Sequence, residues 1–217
     1  MHGYLSDSKV FYKQLNFFGN HFEVFAPDLK GFGTNLDMEY PYSLSDYLDS
    51  VKDYMYKNSI ICPHVIAHSF GGRIALKGAS QNKLLFNKLV LTGCAGIKPK
   101  KTFKKVIKTQ MFNILKTFCN KQKLERFYSS DYLSLNPIMR KSFIKIVNEN
   151  LNDVLSHIDN ECLLIFGKKD SQTPLYMAKT LNKGIKNSKL SVYNAGHFCF
   201  LDCSIKFNLE VREFLLS

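Results

Sequence analysis

Residues 64–72 read His-Val-Ile-Ala-His-Ser-Phe-Gly-Gly. The first five form a short apolar run of strand length, and residues 73–80 (RIALKGAS) continue as a helix. Ser69 therefore stands on a tight strand-to-helix turn. Such a turn strains and crowds the backbone, so the flanking residues must be small, and here they are Ala67, Gly71 and Gly72. A hydroxyl held this way projects out of the sheet. The pattern is G-x-S-x-G with alanine in the first position, still small enough for close packing. Taken alone, it also fits an ordinary glycine-rich turn, so the rest of the chain has to decide.

Outward from this turn, short apolar runs alternate with amphipathic stretches. Strand candidates are 22–26 (FEVFA, ending at Pro27-Asp28), 64–68, 88–95, 162–166 and 189–193. Helical spacing runs through 44–57, with Leu44, Leu48, Val51 and Met55 on one face and Ser43 or Ser45 as cap. It recurs at 174–183, with Pro174 suited to a first turn, and at 205–216. This alternation predicts an α/β fold, a mostly parallel sheet covered by helices on both faces. Residues 97–160 break the rhythm. They hold no convincing strand, but two helical stripes, at 102–118 and 138–151. The expected division is a core of residues 1–96 and 161–217 with a helical cap of residues 97–160, too long for a plain loop.

Two further residues give the serine a chemical context. Asp170 follows the run 162–166, in Phe-Gly-Lys-Lys-Asp, and His197 follows the run 189–193, in Asn-Ala-Gly-His. Parallel strands bring their carboxyl ends to one edge, so residues just beyond three separate strands can meet there. The order Ser, Asp, His, each at the end of its own strand, is that of a hydrolase triad. His68 is read as structural, with its side chain expected to point away from Ser69 across the turn, Asp28 as holding its own turn, and Asp202 as too close to His197 in sequence to support it.

Over almost its whole length the chain resembles the α/β-hydrolase superfamily, and within it the lidded serine hydrolases. His2-Gly3-Tyr4 resembles the H-G-x element, and Asp28-Leu29-Lys30-Gly31-Phe32-Gly33 the D-x-x-G-x-G turn. Phe166-Gly167 through Asp170 resembles the acid loop, and Gly196-His197 the base loop. The resemblance implies nucleophilic catalysis: His197 deprotonates Ser69, Asp170 orients the imidazole, and backbone N–H groups of Phe70 and Tyr4 hold the oxyanion. It implies no metal or organic cofactor. It also places the cap between strands six and seven. One departure stands out, because the H-G-x element normally follows a central strand and here His2 is the second residue. The first strands are therefore expected to be missing, which would leave unpaired sheet edges. A start assigned too late is the preferred explanation, ahead of a fragment or a degenerate protein that folds around the gap.

Composition bounds the partners. The net charge is +12, carried mostly by lysine; the only arginines are Arg73, Arg126, Arg140 and Arg212. Specific phosphate recognition favours arginine, so a lysine-rich surface is preferred over nucleic-acid binding. Residues 98–123 hold nine lysines and no acid alongside an apolar stripe. Such a helix could touch an anionic membrane, though a lid over the pocket is the favoured reading. Phe103, Met111, Phe118, Tyr128, Met139 and Phe198 are the candidate pocket residues. They suggest a small to medium apolar ester or thioester as substrate. Hydrolysis of a carbon–carbon bond beside a ketone is the first alternative, and a non-catalytic binding protein on a truncated scaffold the second. Cys62, Cys94 and Cys162 lie in or beside apolar runs and no C-x-x-C pair occurs. With no apolar run of membrane-spanning length and no signal-like start, a cytoplasmic protein is expected.

Overall fold

The computed structural model describes residues 1–98 and 135–217. Among these residues one sheet forms, of four parallel strands in the order β1-β2-β3-β4. These are β1 (Val65–His68), β2 (Leu89–Thr92), β3 (Cys162–Gly167) and β4 (Ser188–Tyr193). Val65, Leu89, Cys162 and Ser188 stand in register across the sheet. β2 and β3 are buried throughout, which explains their unbroken apolar runs, whereas β4 at the edge is only partly covered and leaves Lys189 and Val192 in water.

The two-residue period of the strands divides the core in two. Leu89, Leu91, Cys162, Leu164 and Phe166 face one side. They pack there under α2 (Leu44–Lys57), α3 (Phe70–Gln81) and α5 (Leu175–Gly184). Val90, Leu163 and Ile165 face the other, under α1 (Tyr12–Phe18), α6 (Cys199–Asp202) and α7 (Ser204–Leu216). Ser43, not Ser45, caps α2, and Asp46 completes a capping box with it. Pro174 lies just ahead of α5 as its N-cap instead of inside its first turn. Between β2 and β3 the described part of the expected cap contains α4 (Pro137–Asn148) and a 3-10 turn (Asn152–His157). Met139, Ile146, Leu151 and Leu155 are buried there in the same cluster as β2 and β3. The stripe at 102–118 lies outside the described residues. No helix among the described residues is long and apolar enough to cross a membrane.

The strand expected at 22–26 does not form, and these residues have no strand partner among the described residues. The reason is the free flank of β1. Val65 and Ser69 donate to Lys88 and Thr92 on the β2 side, so Ile66 and His68 present their backbone groups to the opposite side. There, among the described residues, Met1 alone hydrogen-bonds to β1: Met1 N donates to Ile66 O at 2.7 Å, and His68 N donates to Met1 O at 3.0 Å. Beyond it an open groove of about 430 Å³ separates β1 from residues 22–27, lined by Phe18, Phe22, Val24, Phe25, Met55 and Ile66 among others. With no described residue completing the ladder across that gap, a run of strand composition stays unpaired. The helix α1 carried no signal strong enough to be predicted. It is short, and it is anchored by Gln14, which donates to Phe200 O and Asn208 Oδ1 near the other end of the chain.

Candidate active site

Register places the carboxyl ends of β1, β2, β3 and β4 along one rim. Ser69 follows β1 directly. Its φ of 48° and ψ of −106° put a non-glycine residue in the left-handed half of the map. A conformation of this kind costs roughly 1–3 kcal/mol and persists only when the surroundings over-determine it. They do so here. Ser69 N donates to Thr92 O, and Ser69 O accepts from both Gly72 N and Ala95 N. The two glycines are required by contact: a Cβ on Gly71 would lie 2.6 Å from Met1 O, and one on Gly72 2.4 Å from Cys94 Sγ.

Asp170 lies on the turn after β3 and is buried. Its Oδ1 accepts from Gln172 N at 2.8 Å and Thr173 N at 2.9 Å, and its Oδ2 accepts from Thr173 Oγ1 at 2.6 Å. His197 Nδ1 stands 2.7 Å from the same Oδ2. Burial pushes the Asp170 carboxyl up, but the hydrogen bonds from His197 and Thr173 outweigh it and hold the group at about 2. Asp170 is therefore a carboxylate at neutral pH. Nδ1 is then the protonated ring nitrogen, which leaves the Nε2 lone pair free to act as a base.

His68 does not point away from the site. Its buried ring lies 4.6 Å from the His197 ring, and its Nε2 is 3.2 Å from His197 O, so it donates there. Burial depresses its basicity to about 3, which keeps it neutral. Ser69 thus sits one residue from a side chain that contacts the base. Among the described residues no hydrogen bond joins Ser69 Oγ to His197; contacts of this type are often long without substrate and tighten in the reactive complex.

Of the two expected oxyanion donors, neither Tyr4 N nor Phe70 N donates to another group among the described residues. Phe70 is the first residue of α3, where backbone N–H groups have no partner inside the helix. Tyr4 stacks edge-on against Phe32 and Phe70, and its hydroxyl donates to Met139 O at 2.8 Å. Asp28 accepts from Ser8 N, Thr34 N and Thr34 Oγ1, so it holds its turn. Asp202 accepts from Gly196 N, away from the imidazole.

Compared with known families, the alpha/beta hydrolase fold profile matches residues 1–120, just over half of the chain. This chain belongs to that family. Among curated relatives of this chain, the AB hydrolase superfamily protein YisY of Bacillus subtilis is 24% identical, over 99% of this chain and 89% of its own length. A 2-hydroxymuconate semialdehyde hydrolase of Pseudomonas putida is also 24% identical, over 88% of this chain and 76% of its own. Among solved structures, an esterase from Exiguobacterium antarcticum superposes with a TM-score of 0.80 at 22% identity, covering 100% of this chain and 90% of its own. A meta-cleavage product hydrolase from Pseudomonas fluorescens gives 0.76 at 22% identity, covering 99% and 88%.

The candidate pocket residues of this α/β-hydrolase are only partly placed. Phe103, Met111, Phe118 and Tyr128 lie outside the described residues. Met139 is buried, its sulfur packed over Gly31. Phe198 is 38% exposed beside the base, its ring 4.9 Å from His68 and 5.4 Å from His197. Two residues at the site escaped the sequence reading, Thr173 and the supporting role of His68. A hydroxyl three positions after a turn aspartate is a local signal that could have revealed the first. Nothing local announces the second.

Proposed function

We propose that the chain is a serine hydrolase that cleaves a carboxylic ester or thioester of a small to medium apolar substrate through Ser69, His197 and Asp170. The observation that carries this is the 2.7 Å contact between His197 Nδ1 and buried Asp170, at the rim where Ser69 stands in its strained turn. Ser69 Oγ attacks the acyl carbon as His197 Nε2 takes its proton. Asp170 stabilises the imidazolium, and Phe70 N–H with Tyr4 N–H receives the oxyanion. The imidazolium then protonates the leaving group, and water, activated by His197, releases the acyl chain. Exposed Phe198, its ring 5.4 Å from that of His197, supports an apolar substrate. Five described cysteines are free, which supports a cytoplasmic setting.

A second reading is hydrolysis of a carbon–carbon bond next to a ketone. It is favoured by the likeness to 2-hydroxymuconate semialdehyde hydrolase and to a meta-cleavage product hydrolase. Turnover of p-nitrophenyl esters of graded acyl length, beside a meta-cleavage dienone, separates the two. Ester hydrolysis that falls by at least about 10³-fold in Ser69→Ala supports the first reading. Dienone cleavage without ester cleavage favours the second, and activity untouched in Ser69→Ala refutes both.

A further inference from the structure

Asp170 has a second side-chain donor for which the triad reading has no use. Thr173 lies in the turn between β3 and α5 and is 4% exposed. Its hydroxyl donates to Asp170 Oδ2 at 2.6 Å, the oxygen that also takes His197 Nδ1 at 2.7 Å, and it stands 3.4 Å from that Nδ1. Its own N–H, with that of Gln172, occupies Oδ1. Each carboxylate oxygen therefore receives two donors, which fills the acceptor directions of the group and prevents its rotation. A hydroxyl-to-carboxylate bond this short is charge-assisted, and so among the stronger hydrogen bonds a side chain makes.

We propose that Thr173 is a positioning residue of the catalytic pair: its hydroxyl aims Asp170 Oδ2 at His197 and shares the charge of that oxygen, which sets how strongly the carboxylate supports the imidazolium. The inference rests on the triad reading. Its physical content is competition. While the hydroxyl draws on Oδ2, less of the negative charge is available to His197, so the imidazole is less basic than it would be against a bare carboxylate. Removing the hydroxyl frees the charge but also frees the carboxylate to turn. The first effect raises the basicity of His197, and the second lowers turnover. The other titratable groups near Asp170 do not interfere near neutral pH. His68, at the end of β1, is held neutral by burial, with its basicity lowered to about 3. Cys199, on α6, is pushed by burial to about 11. Lys168 and Lys169 in the same turn are exposed.

The test compares wild type with Thr173→Val, which keeps the shape but loses the hydroxyl, and Thr173→Ser, which keeps the hydroxyl but loses the methyl. The readouts are the pH profiles of kcat and KM on the ester substrate, and the titration of the His197 ring followed by NMR with ring-labelled histidine. The NMR titration needs no turnover. In Thr173→Val the acid limb of kcat/KM and the His197 titration both move up by about one pH unit, the size expected for losing one hydrogen bond to a charged group. Plateau kcat falls about tenfold while KM stays within about twofold, and Thr173→Ser restores both. If Thr173→Val does not fold, the same titration on Thr173→Ala replaces it. An unchanged or downward-shifted His197 titration overturns the proposal, and so does a serine variant that behaves like valine. Ser69→Ala distinguishes the two levels. If it is inactive while Thr173→Val matches wild type, only the role of Thr173 falls; if it is fully active, the triad reading falls and this inference with it.

Discussion

Replacing Gly167 with alanine should disable the site by forcing the base loop away from the acid turn. Gly167 closes β3, and a Cβ built on it would lie 2.1 Å from Gly196 O and 2.4 Å from Ala195 O. Real Cβ atoms essentially never come within 3.0 Å, and both obstructing atoms are backbone, so the loop must withdraw by about 1 Å. It is not free to do so. Lys168 N and Lys169 N tie the acid turn to Tyr193 O and Ala195 O at 2.7 and 2.9 Å. His197 is the next residue along, so a withdrawal of about 1 Å stretches its 2.7 Å contact with Asp170 past hydrogen-bonding range. Misplacement on this scale typically costs about 10²-fold in rate, and overpacking of this kind roughly 1–3 kcal/mol in stability. Ester turnover and denaturant unfolding measure the two separately. Gly196→Ala is the control, because its Cβ would meet nothing nearer than Asp202 Oδ2 at 3.8 Å, and it should keep activity within a few-fold. Wild-type kcat/KM in Gly167→Ala would refute the claim that close approach of the acid and base loops sets the geometry.

Stability should rise with pH between about 4 and 6.5. Burial lowers His2 from 6.5 to about 4, so across that window the unfolded chain binds more protons than the folded one. This shift corresponds to about 3 kcal/mol at most, and urea unfolding at pH 4.5 and 7 that shows no gain would count against the buried imidazole. Arg73→Met should loosen α4, because the buried guanidinium donates to Ile146 O and Glu149 O at that helix's carboxyl end. A loss of roughly 2–3 kcal/mol is expected, and an unchanged denaturation midpoint would mean that the cap is redundant.

What was legible in the sequence is what local chemistry encodes. The helix at Leu44–Lys57 announces itself by its stripe and its Ser43 cap, and the turn at Ser69 by the small residues its crowding demands. The meeting of Asp170 with His197 was legible because each follows the end of its own strand, and the parallel pairing of β3 with β4 brings those ends together. The failures are non-local. Residues 22–26 have the composition of a strand, but a strand needs a neighbour, and among the described residues the free flank of β1 is met by Met1 alone. The orientation of His68 was hidden because its partner, His197 O, lies 129 positions away and no spacing rule connects the two. α1 is held by Gln14 reaching Phe200 and Asn208, contacts invisible from either end of the chain alone.

Covalent capture of Ser69 tests the central claim most directly. The chain is treated with a fluorophosphonate at neutral pH, and the adduct is located by peptide mass spectrometry. A catalytic Ser69 predicts one adduct, on the peptide containing Ser69, absent from Ser69→Ala and strongly slowed in His197→Ala. A folded chain that takes no label, or takes it equally well when Ser69 is alanine, would contradict the account.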